Sequence, residues 1–218
     1  MIDRSLAVRT HGRYVVSVPA GAGPWPLLVA CHGYAENAAI ALDRAVGLDP
    51  DGSWLRVGVQ GLHRFYRGRS RDVVASWMTH EDREQAIADN TAYLASVVNE
   101  VAGEWPATDH LVFSGFSQGV AMAFRAAAAS RRRVDAVVAL GGDIPPEIDR
   151  DALARLPHVL IGHGSADPWY TNDKIDADVR RLQDAGVACD RCEFDGPHEW
   201  SAVFTQRAIE FLQALPRA

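Results

Sequence analysis

The chain has 218 residues, of which 48% are hydrophobic and 23% charged, and its formal net charge at pH 7 is −6. This composition is typical of a water-soluble globular protein, and the length fits one large domain or two small ones. The acidic balance argues against a general nucleic-acid binder, which needs a basic face. No apolar run reaches the roughly 18–20 residues that a membrane-spanning helix requires.

The N-terminal residues and the cysteines indicate a cellular compartment. The first ten residues lack the apolar stretch of a secretory signal peptide. The three cysteines are an odd number and do not suggest a disulfide framework. Both features predict a protein of the reducing cytoplasm. Lysine occurs once, at Lys174, beside 21 arginines, a bias that we interpret as genome composition.

Segments rich in apolar and β-branched residues predict strands, and segments with apolar residues at helical spacing predict helices between them. The predicted strands cover residues 13–18, 27–31, 54–59, 111–113, 134–140, 159–161 and 187–194, with a weaker one at 6–8. The predicted helices cover residues 36–46, 118–130, 175–186 and 204–215, and another runs to 105 from a capping-type start at 79–82. A long polar loop is expected before that start.

Strands that alternate with helices along nearly the whole chain are typical of a mostly parallel sheet with helices on both faces. The first one or two strands have no helix between them and predict an antiparallel edge. No repeat, low-complexity run or linker divides the sequence, so we expect one domain over residues 1–218. Parallel α/β sheets bind ligands beyond the carboxyl ends of their strands, and the catalytic residues are expected there.

The strand at 111–113 leads into a G-x-S-x-G pattern from Gly115 to Gly119, centred on Ser117. Small residues two positions before and after a serine let a strand and a helix pass closely, with the nucleophile at the apex of the turn. The same pattern arises by chance in a plain structural turn. Because a strand precedes it and a helix follows it, we predict that Ser117 is a nucleophile.

A serine hydroxyl needs a base, and His198 follows the last predicted strand in a Gly-Pro-His loop. An isolated loop histidine is more often a surface residue, but the position of His198 favours it over the other seven histidines. His163 also follows a strand, and we interpret it as part of a tight turn beside the acid. Asp167, after the strand at 159–161, would orient the imidazole, and Asp143 after the preceding strand is the alternative acid. The order Ser117, Asp167, His198 is that of the α/β-hydrolase fold.

The negatively charged intermediate of acyl transfer needs N–H donors. The residue after the nucleophile, Gln118, is predicted to supply one from its backbone. Tyr34, which follows the first fully buried strand in the run His32-Gly33-Tyr34, is predicted to supply the other. We interpret His32 as a structural residue of that loop, with contact to substrate as the alternative.

Together these segments resemble the phospholipase/carboxylesterase family of small α/β-hydrolases, which includes acyl-protein thioesterases and bacterial carboxylesterases. The resemblance spans residues 27–215 and is carried by His32-Gly33, Gly115-Phe116-Ser117-Gln118-Gly119, Gly141-Gly142 with Pro145, Gly164 with Asp167, and Gly196 with His198. It implies an α/β-hydrolase fold with a minimal lid or none, a triad of Ser117, Asp167 and His198, and no cofactor or metal. Ala35 and the run Pro168-Trp169-Tyr170 depart from the family pattern beside the site, which leaves the substrate class less defined than the reaction.

Three tryptophans are candidates for a substrate pocket. Trp169 and Trp200 follow the predicted acid and base by two residues, and each would wall a pocket unless it only packs its loop. Trp77, in the run Ser76-Trp77-Met78, matches the region that lines the acyl side in the family.

Two further motifs have less defined roles. The segment 63–71 carries four arginines and two aromatic residues, and it would bind an anionic group or form a solvated loop held by nearby acids. Cys189 and Cys192 form a C-x-x-C without the second pair that a zinc site needs. In a strand, residues three apart point to opposite faces, so these thiols are not expected to meet.

The first hypothesis is a serine hydrolase that cleaves carboxylic esters, or thioesters, through an acyl-enzyme. An exopeptidase or amidase would use the same triad. A non-catalytic binding protein of the same fold is the rival from another class, disfavoured because all three triad positions are filled. The expected partner is a small-molecule substrate, without nucleic acid or integral membrane association, and a homodimer is left open.

Overall fold

The computed structural model describes residues 1–216, so residues 217 and 218 of the predicted domain lie outside it. Its strands are β1 Arg13–Ser17, β2 Trp25–Cys31, β3 Leu55–Gln60, β4 His63–Tyr66, β5 Val73–Ser76, β6 Ala107–Phe116, β7 Ala136–Leu140, β8 His158–Gly164 and β9 Ala188–Phe194. Its helices are α1 Ala38–Gly47, α2 Arg83–Glu104, α3 Gln118–Ala129, α4 Arg150–Leu153, α5 Asn172–Asp184 and α6 Ala202–Ala214. None of these helices combines the length and the hydropathy that crossing a bilayer would require.

Seven strands form one sheet in the order β1-β3-β2-β6-β7-β8-β9. Every neighbouring pair is parallel except β1 with β3, which is antiparallel. The predicted parallel sheet with an antiparallel edge is therefore confirmed. The central strands are buried along most of their length, as in β7, because helices cover both faces of the sheet.

Two apolar cores lie on opposite faces of the sheet. Helices α2, α3 and α5 cover one face, and helices α1 and α6 cover the other. Successive strand residues alternate between them, so Val112 packs in the α1–α6 core and Phe113 in the α2–α3–α5 core. Cys189 and Cys192 in β9 likewise pack on opposite faces, and both thiols are free.

Three predicted elements are wrong. Residues 6–8 form no strand: Leu6 and Val8 are exposed, and β1 is the outer edge of the sheet. The polar loop contains a two-stranded hairpin of β4 and β5, whose short and mostly exposed first strand has the composition of a loop. Helix α2 begins at Arg83 without a side-chain cap, since Asp82 takes a left-handed backbone at φ 47°.

Helix α1 crosses β3 so closely that only glycine fits at position 58. A Cβ atom there would overlap the carbonyl oxygen of Ala38 and lie 2.6 Å from the backbone nitrogen of Leu42. Both obstacles are backbone atoms of α1, so a side chain at this position would have to push the helix away from the sheet.

We expect Gly58→Ala to lower the free energy of unfolding by about 2–3 kcal/mol, because the methyl group overpacks a rigid crossing. Urea denaturation monitored by circular dichroism measures this loss. The control is Gly47→Ala at the end of the same helix, where nothing lies within 4 Å of the added Cβ. That change should leave stability unchanged or raise it by about 0.5 kcal/mol. Equal losses in the two variants would contradict the crossing as the cause.

Candidate active site

Ser117 occupies the single residue between the end of β6 and the start of α3. Its backbone lies at φ 52° and ψ −121°, a strained conformation for a residue with a side chain. Its N–H donates to the Leu140 carbonyl at 2.9 Å, and its carbonyl accepts from Val120 N–H at 3.0 Å. These bonds hold the serine at the apex of the turn, at the carboxyl edge of the sheet.

Two glycines allow this turn through close backbone contact. A Cβ atom at Gly115 would lie 2.5 Å from the carbonyl oxygen of Gly119, and one at Gly119 would lie 2.5 Å from that of His32. Strand β6, helix α3 and the loop after β2 therefore meet backbone against backbone. The G-x-S-x-G spacing in the sequence reports this contact.

Asp167 and His198 follow the neighbouring parallel strands β8 and β9. The Nδ1 atom of His198 lies 2.6 Å from Oδ2 of Asp167. The other carboxylate oxygen, Oδ1, accepts from the backbone N–H groups of Trp169 at 2.8 Å and Tyr170 at 3.0 Å. Asp167 is buried and held on both oxygens. Because His198 donates from Nδ1 to this carboxylate, its Nε2 carries the free lone pair.

The alternative acid, Asp143, does not contact the imidazole. Its Oδ2 lies 3.2 Å from Nζ of Lys174, and its side chain is half-exposed. The end of β7 approaches His198 through Gly141 instead, where a Cβ atom would lie 3.0 Å from Cε1 of the ring. The Phe116 ring packs on His198 with centroids 5.0 Å apart. Asp167, not Asp143, is therefore the carboxylate paired with His198.

A cavity of about 400 Å³ lies at this edge of the sheet, and both Ser117 and His198 line it. We call it the apolar cavity, and its other walls are Gly33, Tyr34, Phe116 and Trp169. Four residues that sequence reasoning placed in the site thus share one space: Ser117, His198, Tyr34 and Trp169.

The backbone N–H groups of Tyr34 and Gln118 have no acceptor within residues 1–216. The neighbouring N–H of Gly33, by contrast, donates to Oε2 of Glu36 at 2.7 Å. Gln118 is the first residue of α3, where the positive end of the helix dipole adds to its N–H. Two donors therefore remain for a negatively charged oxygen near Ser117.

The three candidate pocket tryptophans lie in different places. Trp169 is 71% exposed and lines the apolar cavity. Trp200 is half-buried and packs edge-on against Phe116, outside the set of cavity-lining residues.

Trp77 is fully buried, stacks on His32 and donates from Nε1 to its carbonyl at 2.8 Å. A pocket wall does not fit a ring with no exposed surface, so Trp77 supports the loop that carries Tyr34.

His32 fixes that loop through both ring nitrogens. Its Nε2 accepts from Gly61 N–H at 3.0 Å, so Nδ1 carries the proton and donates to the Gly33 carbonyl at 2.6 Å. Burial lowers the pKa of His32 to about 4. A neutral imidazole is thus required for this pair of bonds.

Two other contributors were missed by sequence reasoning. Arg44 pairs with Glu36 at 2.6 Å and lies 4.3 Å over the ring centroid of Phe116. The side chain of Gln118 accepts from Trp77 N–H at 3.0 Å and donates to the Met78 carbonyl at 3.1 Å. Both join segments that are far apart in the sequence, so periodicity gives no signal. A polar side chain directly after the nucleophile was the only available indication.

Comparisons with known proteins show the family and the fold of the chain. A family model described as Phospholipase/Carboxylesterase matches residues 72–215. The crystal structure of esterase PE8 is 23% identical and aligns over 96% of this chain and 100% of that chain, with a TM-score of 0.73. A carboxylesterase from Mesorhizobium loti is 21% identical over 93% and 95% of the two chains, with a TM-score of 0.75. Arabidopsis thaliana SOBER1 is 14% identical over 87% and 98%, with a TM-score of 0.70. A search of curated proteins finds no match.

The buried imidazole predicts a pH-dependent stability. Burial lowers the pKa of His32 from 6.5 to about 4. Between these pH values, the unfolded chain therefore binds a proton at His32 that the folded protein does not bind. The free energy of unfolding should fall as the pH drops through 6.5 towards 4, and His32 should account for about 3 kcal/mol of that fall. His32→Asn should therefore lower stability at pH 8 but lose less on acidification, as measured by urea denaturation from pH 8 to 4.5. His80→Asn, at an exposed position, is the control and should keep the wild-type slope. Parallel slopes for wild type and His32→Asn would rule out this role.

Proposed function

Because the chain belongs to the phospholipase/carboxylesterase family and is a hydrolase of that type, we propose that it cleaves carboxylic esters with Ser117 as nucleophile. His198 acts as the base and Asp167 as the acid that orients it, within a single domain of 218 residues. The observation that carries this proposal is the 2.6 Å contact from His198 Nδ1 to Asp167, at the cavity that Ser117 also lines. The substrate is a small-molecule ester or thioester.

In the acylation step, Ser117 Oγ attacks the ester carbonyl carbon while Nε2 of His198 takes the hydroxyl proton. The carbonyl π pair moves onto oxygen, which receives hydrogen bonds from the N–H groups of Tyr34 and Gln118. The carboxylate of Asp167 stabilises the imidazolium that forms. The intermediate then collapses, the bond to the leaving oxygen breaks, and that oxygen takes the proton from His198.

In the deacylation step, water attacks the acyl group on Ser117 and gives its proton to His198. The second tetrahedral intermediate expels Ser117 Oγ, which recovers that proton, and the carboxylic acid leaves. Tyr34 and Trp169 are 62% and 71% exposed although both line the apolar cavity, so water has access to the acyl-enzyme. A thioester follows the same path with a thiol as the leaving group.

We expect Ser117→Ala to lower kcat/KM on p-nitrophenyl butyrate by roughly 10⁴-fold or more, because no other group replaces the nucleophile. Release of p-nitrophenol measures this loss, and circular dichroism checks the fold. A fluorophosphonate probe should add its mass to the parent protein and not to Ser117→Ala. The exposed Ser96→Ala serves as control and should keep both activity and labelling. Turnover retained in Ser117→Ala would exclude Ser117 as nucleophile, and an unlabelled parent would favour a binding protein.

The two candidate acids can be compared directly. Asp167→Asn should reduce kcat by about 10³–10⁴-fold, because an amide favours the wrong imidazole tautomer and does not stabilise the imidazolium. Asp143→Asn should lose far less, since its carboxylate contacts Lys174 and not His198. The same p-nitrophenyl assay measures both variants. The opposite ranking would move the acid from β8 to β7.

A further inference from the structure

A second cavity, of about 320 Å³, adjoins Ser117, and we call it the polar arm. It shares Ser117 and Trp169 with the apolar cavity and is also lined by Gln118. The polar arm differs in charge, because its walls include three cationic side chains and one carboxylate. The proposed acyl-transfer steps use none of these four groups.

The first of the four, Arg125, projects from α3 and is only 7% exposed. Its Nε and Nη2 atoms lie 2.8 and 2.6 Å from the same oxygen of Glu147, whose side chain is half-exposed. Within residues 1–216, its third nitrogen, Nη1, has only the Met122 sulfur at 3.9 Å as an acceptor. A buried guanidinium is costly unless its donors are used, and one nitrogen here still lacks a strong acceptor.

The other two cations come from separate elements. Lys174, on α5, lies 3.2 Å from Asp143 and donates to the Trp169 carbonyl at 2.8 Å. Arg83 begins α2, and no carboxylate lies within 4.0 Å of it in the part of the chain from residue 1 to 216. With Asp143 and Glu147 counted against the three cations, the polar arm keeps one positive charge in excess.

The position of His198 determines which cavity receives the leaving group and which receives the acyl chain. The leaving oxygen must receive a proton from His198, so the leaving group must lie next to its ring. His198 lines the apolar cavity and is absent from the walls of the polar arm. The leaving group therefore occupies the apolar cavity, and the acyl chain extends from Ser117 into the polar arm.

We propose that the polar arm binds a carboxylate at the far end of the acyl chain, so that the preferred substrates are monoesters of dicarboxylic acids. The single excess positive charge matches a carboxylate, whereas a phosphate dianion would leave a net negative charge. This inference rests on the proposed function, because the roles of Ser117 and His198 decide which cavity receives the acyl chain.

The test compares two substrates. One is the mono-p-nitrophenyl ester of adipic acid, and the other is the p-nitrophenyl ester of adipic acid monoamide, in which a neutral amide of the same shape replaces the free carboxylate. After correction for spontaneous hydrolysis, kcat/KM for the carboxylate should exceed that for the amide by about tenfold at low salt. Arg83→Gln and Lys174→Met should each lower this ratio by about three- to fivefold, because each removes one partly exposed charge. The ratio should also fall with added salt, which screens such charges.

Arg180→Gln, an exposed position on α5 away from the polar arm, is the matched control and should keep the wild-type ratio. Asp143→Asn should raise the ratio, because it removes the negative charge from the same wall. A wild-type ratio at or below one, or a ratio unchanged in both Arg83→Gln and Lys174→Met, would overturn the proposal.

The side of the ester is tested by moving the carboxylate. Butyrate esters of 4-hydroxybenzoic acid and of 4-hydroxybenzamide place the carboxylate and the neutral amide on the leaving group. Arg83→Gln should not alter the ratio of kcat/KM between these two esters. If it lowers that ratio instead of the acyl ratio, the assignment of the polar arm to the acyl chain is wrong.

A binding experiment separates this inference from the proposed function. Lys174 is the only lysine of the chain, so its modification by acetic anhydride is read from one peptide by mass spectrometry. Millimolar adipate should protect Lys174 in the intact protein, and adipamide should not. Protection without hydrolysis of any ester would refute the proposed function and leave the anion site standing. Absence of protection would overturn the anion site itself.

Discussion

The strained backbone of Ser117 is the constraint on which the rest of the site depends. A non-glycine residue at φ 52° and ψ −121° costs about 1–3 kcal/mol. This strain persists because β6 and α3 cross at Gly115 and Gly119 with no room for side chains, and because Leu140 accepts from Ser117 N–H. The same hydrogen bond anchors the end of β7, which leads into Gly141 beside Cε1 of His198. One turn thus fixes the position of Ser117 and of the backbone that packs against the imidazole of His198.

The loop that carries Tyr34 has a different source of order. It belongs to no strand or helix and is held by side chains whose polar atoms are paired. His32 bonds to Gly61 and Gly33, and Trp77 bonds back to His32. Such a network is rigid only when every buried member is satisfied, which explains why the imidazole must stay neutral. The side chain of Gln118 completes the connection, so the residue after the nucleophile holds the opposite wall of the site as well.

The sequence predicted the parts of the molecule that depend on local pattern. The central strands were recognised because burial on both faces requires continuous apolar runs, and the triad candidates followed because parallel strands end at one edge. The choice of Asp167 over Asp143 rested on strand order, which the pairing of β8 with β9 supports.

The remainder depends on contacts between distant segments, which no local pattern records. The hairpin of β4 and β5 was missed because its first strand is mostly exposed and polar. The sequence predicts a pocket position for Trp77 because it gives position along the chain and not depth in the fold, where this ring is fully buried. The pairing of Arg125 with Glu147 joins helix α3 to the loop between β7 and α4, and the sequence does not show that this arginine is buried.

The acid and the polar arm are mechanically connected, and this limits how the specificity of the enzyme can change. Tyr170 donates its backbone N–H to Asp167 and its hydroxyl to Asp178 at 3.0 Å. Asp178 in turn accepts from Ile144 N–H at 2.9 Å, in the loop that carries Asp143. A change that moves this loop would therefore also move Asp167, the carboxylate paired with His198. Lys174 bonds to Asp143 in this loop and to the Trp169 carbonyl, so its substitution also removes two contacts of the connected segments. Arg83 lies outside this chain of bonds, so its substitution can alter the charge of the polar arm while the catalytic geometry is kept.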